Sequence, residues 1–542
     1  VLYQVYVRSF CDTDGDGYGD LAGVRAHLDH LSSLGVDGIW LSPTMPSPDT
    51  DWGYDVSDYL DVHPELGTLA DLDALVADAA AAGMRVLLDL VPNHTSDRHP
   101  WFVEARSDPG SARRAYYVWA DPSPDGGPPN NWRNMTGEPA WTLDPASGQY
   151  YLHNYLPTQP DLNWWHPAVH DEFERILSFW LDRGVAGFRI DVAHGIYKDA
   201  ELRDDPPPPA STGSERPRRL RQVYSANRPE THALYRTWRR LADSYDPARL
   251  LLGETFVSDV ADLARFYGDD DELHLAFNFR FALSSFDPAE LSGVLAATLA
   301  ALPEGACPTW TASNHDIGRF PSRWCDDDPL RTRAALTVLL SLPGTVVLYY
   351  GDELGQVDVS VPDALQRDPM TWHGRGGAAN RDRARTPMPW RRGEGGGFCP
   401  PGVEPWLPLG PMASTVEDQE VDPDSALALT RRLVALRRAH HRGRVLPYRL
   451  LEQTGGLWRY AVGPLEVLAN LADTPQHTVA PRRLLFSSHT ARRPGGDPAD
   501  QAGGPDPGAA GEGAHTVAGE GPGAASSPIT LGAWEVVVAS AG

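Results

Sequence analysis

Four strand-like runs end in side chains that move protons or hold charge: LLDLVPNH (87–94), GFRIDVAH (187–194), RLLLGETF (249–256) and TWTASNHD (309–316). In the second, Val185, Phe188 and Ile190 mark a buried strand, yet Arg189 and Asp191 ride on the same segment. Burying two charges is costly unless they are paired. A lone Arg-x-Asp therefore reads as an internal ion pair holding strands in register. Four strand ends finishing in acids, histidines and asparagines read instead as a site, because carboxylates and imidazoles brought together serve as acids, bases and nucleophiles.

Elements able to gather those ends recur along the chain. Short apolar strands are expected near 2–7, 36–42, 85–91, 185–191, 249–254, 273–279, 309–313 and 345–350. Between them lie helical patterns such as Ala70–Ala82 and Glu172–Asp182, with apolar residues at three- and four-residue intervals. Eight strands with crossover helices predict an α/β fold, a closed (β/α)8 TIM barrel whose active site lies at the C-terminal strand ends. Residues 94–165 are too long for a crossover and are rich in Trp, Tyr, Pro, Asn and Gly, which predicts an inserted small domain over the barrel mouth. Another long loop, 199–228, carries a proline run and the basic stretch RPRRLR, read as solvated surface. A helix is expected near 424–440. Beyond 442 the pattern alternates as in a separate all-β sandwich. The expected domains are thus a barrel (1–93 and 166–441), an insertion (94–165) and a C-terminal β domain (442–542), with Gly503–Ser527 as a disordered loop.

Lys plus Arg number 47 against 73 Asp plus Glu, a net charge of −26, so the surface repels nucleic acid and anionic membrane and suits a neutral substrate. The 17 Trp and 19 Tyr include flat faces on which sugar rings stack, although core packing accounts for most of them. Four scattered cysteines form neither a disulfide framework nor a thiolate metal site. The longest apolar run, Ala334–Tyr350, is broken by Pro343 and Gly344 and is no membrane span. Val1 already lies in a strand pattern, so any export signal is expected to precede it. A cytoplasmic protein is the expectation, with secretion left open, as a monomer or homodimer acting on a small oligosaccharide.

The set DLVPNH, QPDLNW (159–164), GFRIDVAH, GETF and SNHD resembles glycoside hydrolase family 13, the α-amylase superfamily, in its α-glucosidase and oligo-1,6-glucosidase branch. The resemblance covers nearly the whole chain in order. It implies Asp191 as nucleophile, Glu254 as acid/base and Asp316 as the stabiliser of an oxocarbenium-like transition state. It also implies that His94 and His315 donate to hydroxyls of one ring, and that Asp89 buttresses Arg189. Arg189, on the same side of the strand as Asp191, is expected to keep that acid charged.

By the same resemblance, DWGYDVSDY (51–59) supplies Tyr54 to stack on a terminal glucose and Asp51 to bind its hydroxyls. NRDRARTPMPW (380–390) supplies Arg385 to pair with Asp51 and close the pocket end, with Asn380 and Arg383 departing from the usual pattern. Val192, after the nucleophile, would contact the aglycone side, where valine tends to accompany α-1,6 links. In DTDGDGYGD, Asp12, Asp14 and Asp16 take EF-hand positions one, three and five, Tyr18 offers a carbonyl at seven and Asp20 falls at nine. Position twelve is Gly23, so the bidentate Glu is missing. The resemblance implies a structural calcium here, with magnesium as the alternative. The expected enzyme is an exo-acting retaining α-glucosidase capable of transglycosylation. The alternatives are an oligo-1,6-glucosidase, a trehalose or sucrose isomerase, and a non-catalytic sugar-binding relative, which would lack the three acids.

Overall fold

Eight parallel strands form one sheet: β1 (Leu2–Val5), β2 (Gly38–Leu41), β3 (Arg85–Leu90), then, after the inserted β4 (Trp119–Ala120), β5 (Trp141–Leu143) and β6 (Tyr150–Leu152), β7 (Gly187–Ile190), β8 (Leu250–Gly253), β9 (Leu275–Ala276), β10 (Thr309–Thr311) and β11 (Thr345–Tyr349). They pair in the order β10-β11-β1-β2-β3-β7-β8-β9, and a parallel bridge from Phe277 to Thr309 joins the two ends into a barrel. This computed structural model describes residues 1–207, 220–257, 259–372, 380–412, 414–489 and 528–540. The proposed disordered loop, Gly503–Ser527, and most of the basic stretch in 199–228 lie outside the described residues.

Leu2, Trp40, Leu87, Leu252, Leu275, Phe277 and Val347 fill the barrel interior, while a larger core lies between strands and the surrounding helices. The helices begin where their caps dictate. Thr68 and Asp71 form a capping box at the start of Leu69–Ala81, and the helix Pro167–Asp182 begins with proline in its first turn. Ser425 caps Ala426–His441, close to the expected 424–440.

The strands are shorter at the mouth than the apolar pattern suggests. The run 273–279 is strand only at Leu275–Ala276, because Asn278 accepts the Phe281 N–H and starts a short helix, Phe279–Leu283. Asp191 and Glu254 likewise fall one residue past their strands. Within 94–165, β4, β6 and β5 make a three-stranded sheet with a small core around Trp132, Trp141 and Leu152. Antiparallel bridges from His94 to Asp161 and from Tyr117 to Leu162 bind this segment to the loop before the helix at 167.

The C-terminal part holds β12 (Tyr448–Thr454), β13 (Leu457–Val462), β14 (Leu465–Asn470), β15 (Gln476–Val479), β16 (Arg483–Ser487), β17 (Pro528–Leu531) and β18 (Val536–Ser540). These make a five-stranded antiparallel sheet, β12-β13-β14-β18-β16, and a two-stranded one, β15-β17. No described helix is long and apolar enough to cross a membrane.

Candidate active site

Strand register brings the acids together. Asp89 pairs with Arg189 across β3 and β7, and Ile190 pairs with Gly253 across β7 and β8. The next residues on the last two strands are Asp191 and Glu254, neighbours at the spacing of adjacent strands, about 5 Å. Gly187 permits this closeness, since a Cβ there would meet the Leu250 carbonyl oxygen at 2.0 Å. The fully buried Arg189 then binds three acids: Nη1 donates to Asp89 Oδ1 (2.8 Å) and Asp191 Oδ1 (2.6 Å), while Nη2 lies 2.9 Å from Glu254 Oε1. One planar guanidinium thus fixes both carboxyl groups.

Arg189 favours the charged form of Asp191, as expected, but other neighbours act against it. Burial pushes the Asp191 carboxyl well above the usual carboxylate range; Arg189 opposes the rise, and Glu254 and Asp89 add to it. Burial also raises Asp89, to about 7, against the pull of Arg189. Three acids around one cation leave a surplus of negative charge in a water-poor site, which opposes the ionisation of Asp191 and Asp89. Arg189 is itself buried beneath the acids and positions their carboxyl groups.

Above them opens a cavity of about 910 Å³ whose lining includes Asp51, Tyr54, His94, Asp191, Val192, Glu254, Asp316 and Arg381. At one end Arg381 joins three acids. Its Nη2 donates to Asp51 Oδ1 (2.7 Å) and Asp368 Oδ1 (2.8 Å), and its Nη1 to Asp316 Oδ1 (2.8 Å). Burial opposes ionisation of Asp316, but His315 and the guanidiniums of Arg381 and Arg385 outweigh it and hold the carboxyl below the usual range. The guanidiniums, charged at all working pH, carry that effect, because burial keeps the His315 imidazole neutral.

The partner of Asp51 is therefore Arg381 and not Arg385, the arginine expected from the sequence. Arg385 is turned inward, 1% exposed, with its guanidinium over the Tyr6 ring; it donates to the His315 carbonyl and, at 3.2 Å, to Asp316. It supports Asp316 from the protein side. The signal for the right arginine was the Arg-Asp pair at 381–382. Asp368, 13 positions upstream of Arg381, carried no signal.

The two histidines are held by protein partners. His94 lines the cavity, but its Nε2 meets the Tyr54 carbonyl at 2.9 Å and its Nδ1 meets Asn93 Nδ2 at 3.0 Å. His315 lies behind the wall, with Gln4 at Nδ1 (2.8 Å) and the Tyr54 hydroxyl at Nε2 (2.6 Å). The Tyr54 ring stacks on His315 at 5.2 Å and its hydroxyl donates to Asp89 Oδ2. Both imidazoles thus position Tyr54 and Asp316 through protein partners.

Val192 is not a strand residue. It has φ 46°, a left-handed conformation rare for a β-branched residue. The turn directs its N–H to Glu254 Oε2 (2.9 Å), and the Ala193 N–H to the Glu254 carbonyl (2.9 Å). The strained backbone here ties the turn after Asp191 to Glu254. Sequence reading also missed Lys198, whose buried ammonium bridges Asp161 (2.7 Å) and Asn93 (2.6 Å).

Away from the cavity, ligand oxygens of Asp12, Asp14 and Asp20 lie within 4.8 Å of one another. Asp16 stands outside this group of three and accepts the Tyr18 N–H at 2.8 Å. Three hard oxygen donors on one loop fit calcium or magnesium. A second convergent group, Asp49, His63 and Glu65, is already bridged by Arg8 at 2.7 and 2.9 Å.

Residues 4–444 match the α-amylase catalytic-domain family. The chain is 42% identical to a probable α-glucosidase of Rhizobium meliloti (strain 1021) over 456 residues, covering 81% of this chain and 82% of that one. It is 36% identical to an oligo-1,6-glucosidase of Heyndrickxia coagulans, covering 81% and 84%. Among solved structures, an α-glucosyl transfer enzyme superposes with TM-score 0.86 at 34% identity, covering 100% of this chain and 98% of that one. A barrel with its carboxylates meeting at one mouth, matched over this length, makes the chain a member of the α-amylase family of glycoside hydrolases, within its α-glucosidase and oligo-1,6-glucosidase branch.

Proposed function

We propose that this protein is an exo-acting, retaining α-glucosidase that removes terminal non-reducing glucose from short α-linked gluco-oligosaccharides and can pass it to a sugar acceptor. The observation that carries this reading is the single guanidinium holding Asp191 and Glu254. Retaining enzymes need their two carboxyl groups about 5–5.5 Å apart, on either side of one anomeric carbon. Asp191 would attack that carbon while Glu254 protonates the leaving oxygen; Glu254 would then draw a proton from water or a sugar hydroxyl to release the glucosyl group. Asp316, kept ionised, would steady the positive charge that develops on the ring.

The Arg381–Asp51 pair supports exo action, because it closes the cavity beyond one ring. Maltose, isomaltose, sucrose and trehalose, each followed for free glucose and for the anomer first released, test the reading. Prompt release of α-glucose from maltose or isomaltose is expected; isomerisation without net hydrolysis, or first release of β-glucose, would overturn it.

Asp12, Asp14 and Asp20 are assigned to a structural divalent cation, calcium or magnesium. Calcium at about 100 times its dissociation constant should stabilise the fold by about 2.7 kcal/mol. A melting temperature raised by calcium in the wild type and unmoved in Asp12→Asn is the expected result. The four free cysteines, three of them buried, favour a reducing compartment and the cytoplasm.

A further inference from the structure

The loop 199–228, expected from its composition to be solvated surface, walls the active-site cavity with both of its described arms. Asp205 from one arm and Leu220, Gln222 and Ala226 from the other join the lining, and Asn131 joins it from the inserted segment. The arms pair with each other: the Asp199 N–H donates to the Tyr224 carbonyl (2.8 Å) and the Arg221 N–H to the Pro206 carbonyl (3.0 Å). The buried Asp205 fastens them further. Its Oδ1 accepts the N–H groups of Val223 (2.9 Å) and Tyr224 (2.7 Å), and its Oδ2 accepts the Ser225 hydroxyl.

Three consecutive residues hold these arms to the inserted segment. Asn131 acts like a peptide unit of a neighbouring strand: its Nδ2 donates to the Asp205 carbonyl and its Oδ1 accepts the Asp205 N–H, both at 2.9 Å. Its own N–H donates to Asp204 Oδ1 at 2.9 Å. Beside it, Asn130 Nδ2 donates to the Leu202 carbonyl and Trp132 Nε1 to the Arg203 carbonyl, each at 2.9 Å. Leu202 and Tyr224 also pack on the insertion's core of Trp132, Trp141 and Leu152. Because the Asn131 amide engages both the N–H and the carbonyl of one residue, it fixes the direction of that backbone as well as its position.

This seam continues toward the leaving-group part of the site. The Asn227 N–H donates to the His194 carbonyl (2.7 Å), and His194 Nδ1 accepts the Phe256 N–H (3.3 Å), two residues past Glu254. His194, Ala226 and Phe256 all line the cavity. The closure at the terminal-glucose end, Arg381 with Asp51, Asp316 and Asp368, makes no hydrogen bond or ion pair to either arm among the described residues. One cluster therefore closes the glucose end, and the seam bounds the space beside Glu254 into which the departing sugar must fit.

Resting on the glucosidase reading, we propose that Asn131 is a positioning residue for the leaving-group sugar. Through its paired bonds to Asp205 it holds the loop after β7 against the inserted segment, and so sets the wall on which that sugar is bound. The effect on substrate runs through the loop backbone, so it depends on the amide pair and not on any charge of Asp205.

α-Glucosyl fluoride tests this beside maltose, because its leaving group is a single atom that never reaches the seam, whereas maltose places a whole ring there. The quantity to measure is kcat/KM for maltose divided by kcat/KM for the fluoride. Asn131→Ala should lower this ratio about tenfold, through a rise in KM for maltose. Asp205→Ala, which frees the second arm, should do the same, and the double variant should fall no further, since both changes break one clamp. Asp205→Asn keeps the Oδ1 acceptor and should hold the ratio within about twofold of wild type. A ratio within about twofold of wild type in Asn131→Ala would overturn the proposal. A fall carried by kcat alone would also overturn it, by placing the effect on Glu254. So would a fall in Asp205→Asn as large as in Asp205→Ala, which would make the carboxylate charge the contact. Should Asn131→Ala fail to fold, Asn131→Asp, which keeps the acceptor and loses the donor, is read by the same limits. Failure of the glucosidase reading is distinct: the wild type would then release no glucose from maltose and none from the fluoride above the spontaneous rate.

Discussion

Asp191→Ala should lower kcat/KM for maltose by at least about 10⁴-fold while the protein stays folded, since removal of a covalent nucleophile leaves only binding and charge stabilisation. Asp191 sits one residue past β7, with its N–H donating to the Leu90 carbonyl at 2.8 Å and its carboxyl on Arg189. Loss of the carboxyl also removes one of three negative charges from a crowded buried cluster, so stability should not fall with activity. Activity within a few fold of wild type would exclude Asp191 as nucleophile.

A pH measurement sharpens the point. Burial together with Glu254 and Asp89 raises Asp191, so the acid limb of kcat/KM should lie above the ordinary carboxylate range. Asp89→Asn removes one of the like charges and should move that limb to lower pH. The stability sign runs the opposite way from an ordinary surface acid. A carboxyl raised on folding binds its proton more tightly in the native state, so its contribution is present at low pH and is lost as pH rises through about 7 for Asp89.

Arg381→Ala should be the most damaging change outside the reacting acids. Arg381 bridges Asp51, Asp316 and Asp368, and its removal leaves Asp51 and Asp368 without an ion-pair partner among the described residues, with only Arg385 remaining on Asp316. Breaking a buried pair from one side costs about 3–5 kcal/mol. The expected results are a large rise in KM for maltose, a lower melting temperature and weakened preference for terminal glucose. Arg381→Lys should recover only part, because a single ammonium cannot span three carboxylates. An unchanged preference for chain ends in Arg381→Ala would remove the pocket closure from the exo argument. Arg385→Ala should act less on end preference, since Arg385 supports Asp316 from behind and never reaches Asp51.

The barrel was legible in the chain because apolar runs and helix periods are local, and burial demands them whatever the function. Carboxyl-tipped strands were legible for the same reason: a charge in an otherwise apolar strand has to be explained by something nearby. Which side chains meet is another matter. Arg381 and Arg385 stand four positions apart in one arginine-rich motif, and sequence spacing cannot tell which of the two enters the cavity. Packing of Arg385 over Tyr6 decided it.

The upward push on the Asp191 carboxyl was likewise beyond the sequence, because Arg-x-Asp shows one cation beside one acid and hides the two further carboxylates that β3 and β8 bring to the same guanidinium. Val192 read as a plain β-branched strand residue until the tertiary contacts forced its backbone left-handed toward Glu254. Sequence alone determined the element types and the chemical groups at the strand ends, since these follow from local pattern and burial. Tertiary structure alone decided partners, charge states and the shape of the pocket, since these depend on distances between residues a hundred or more positions apart.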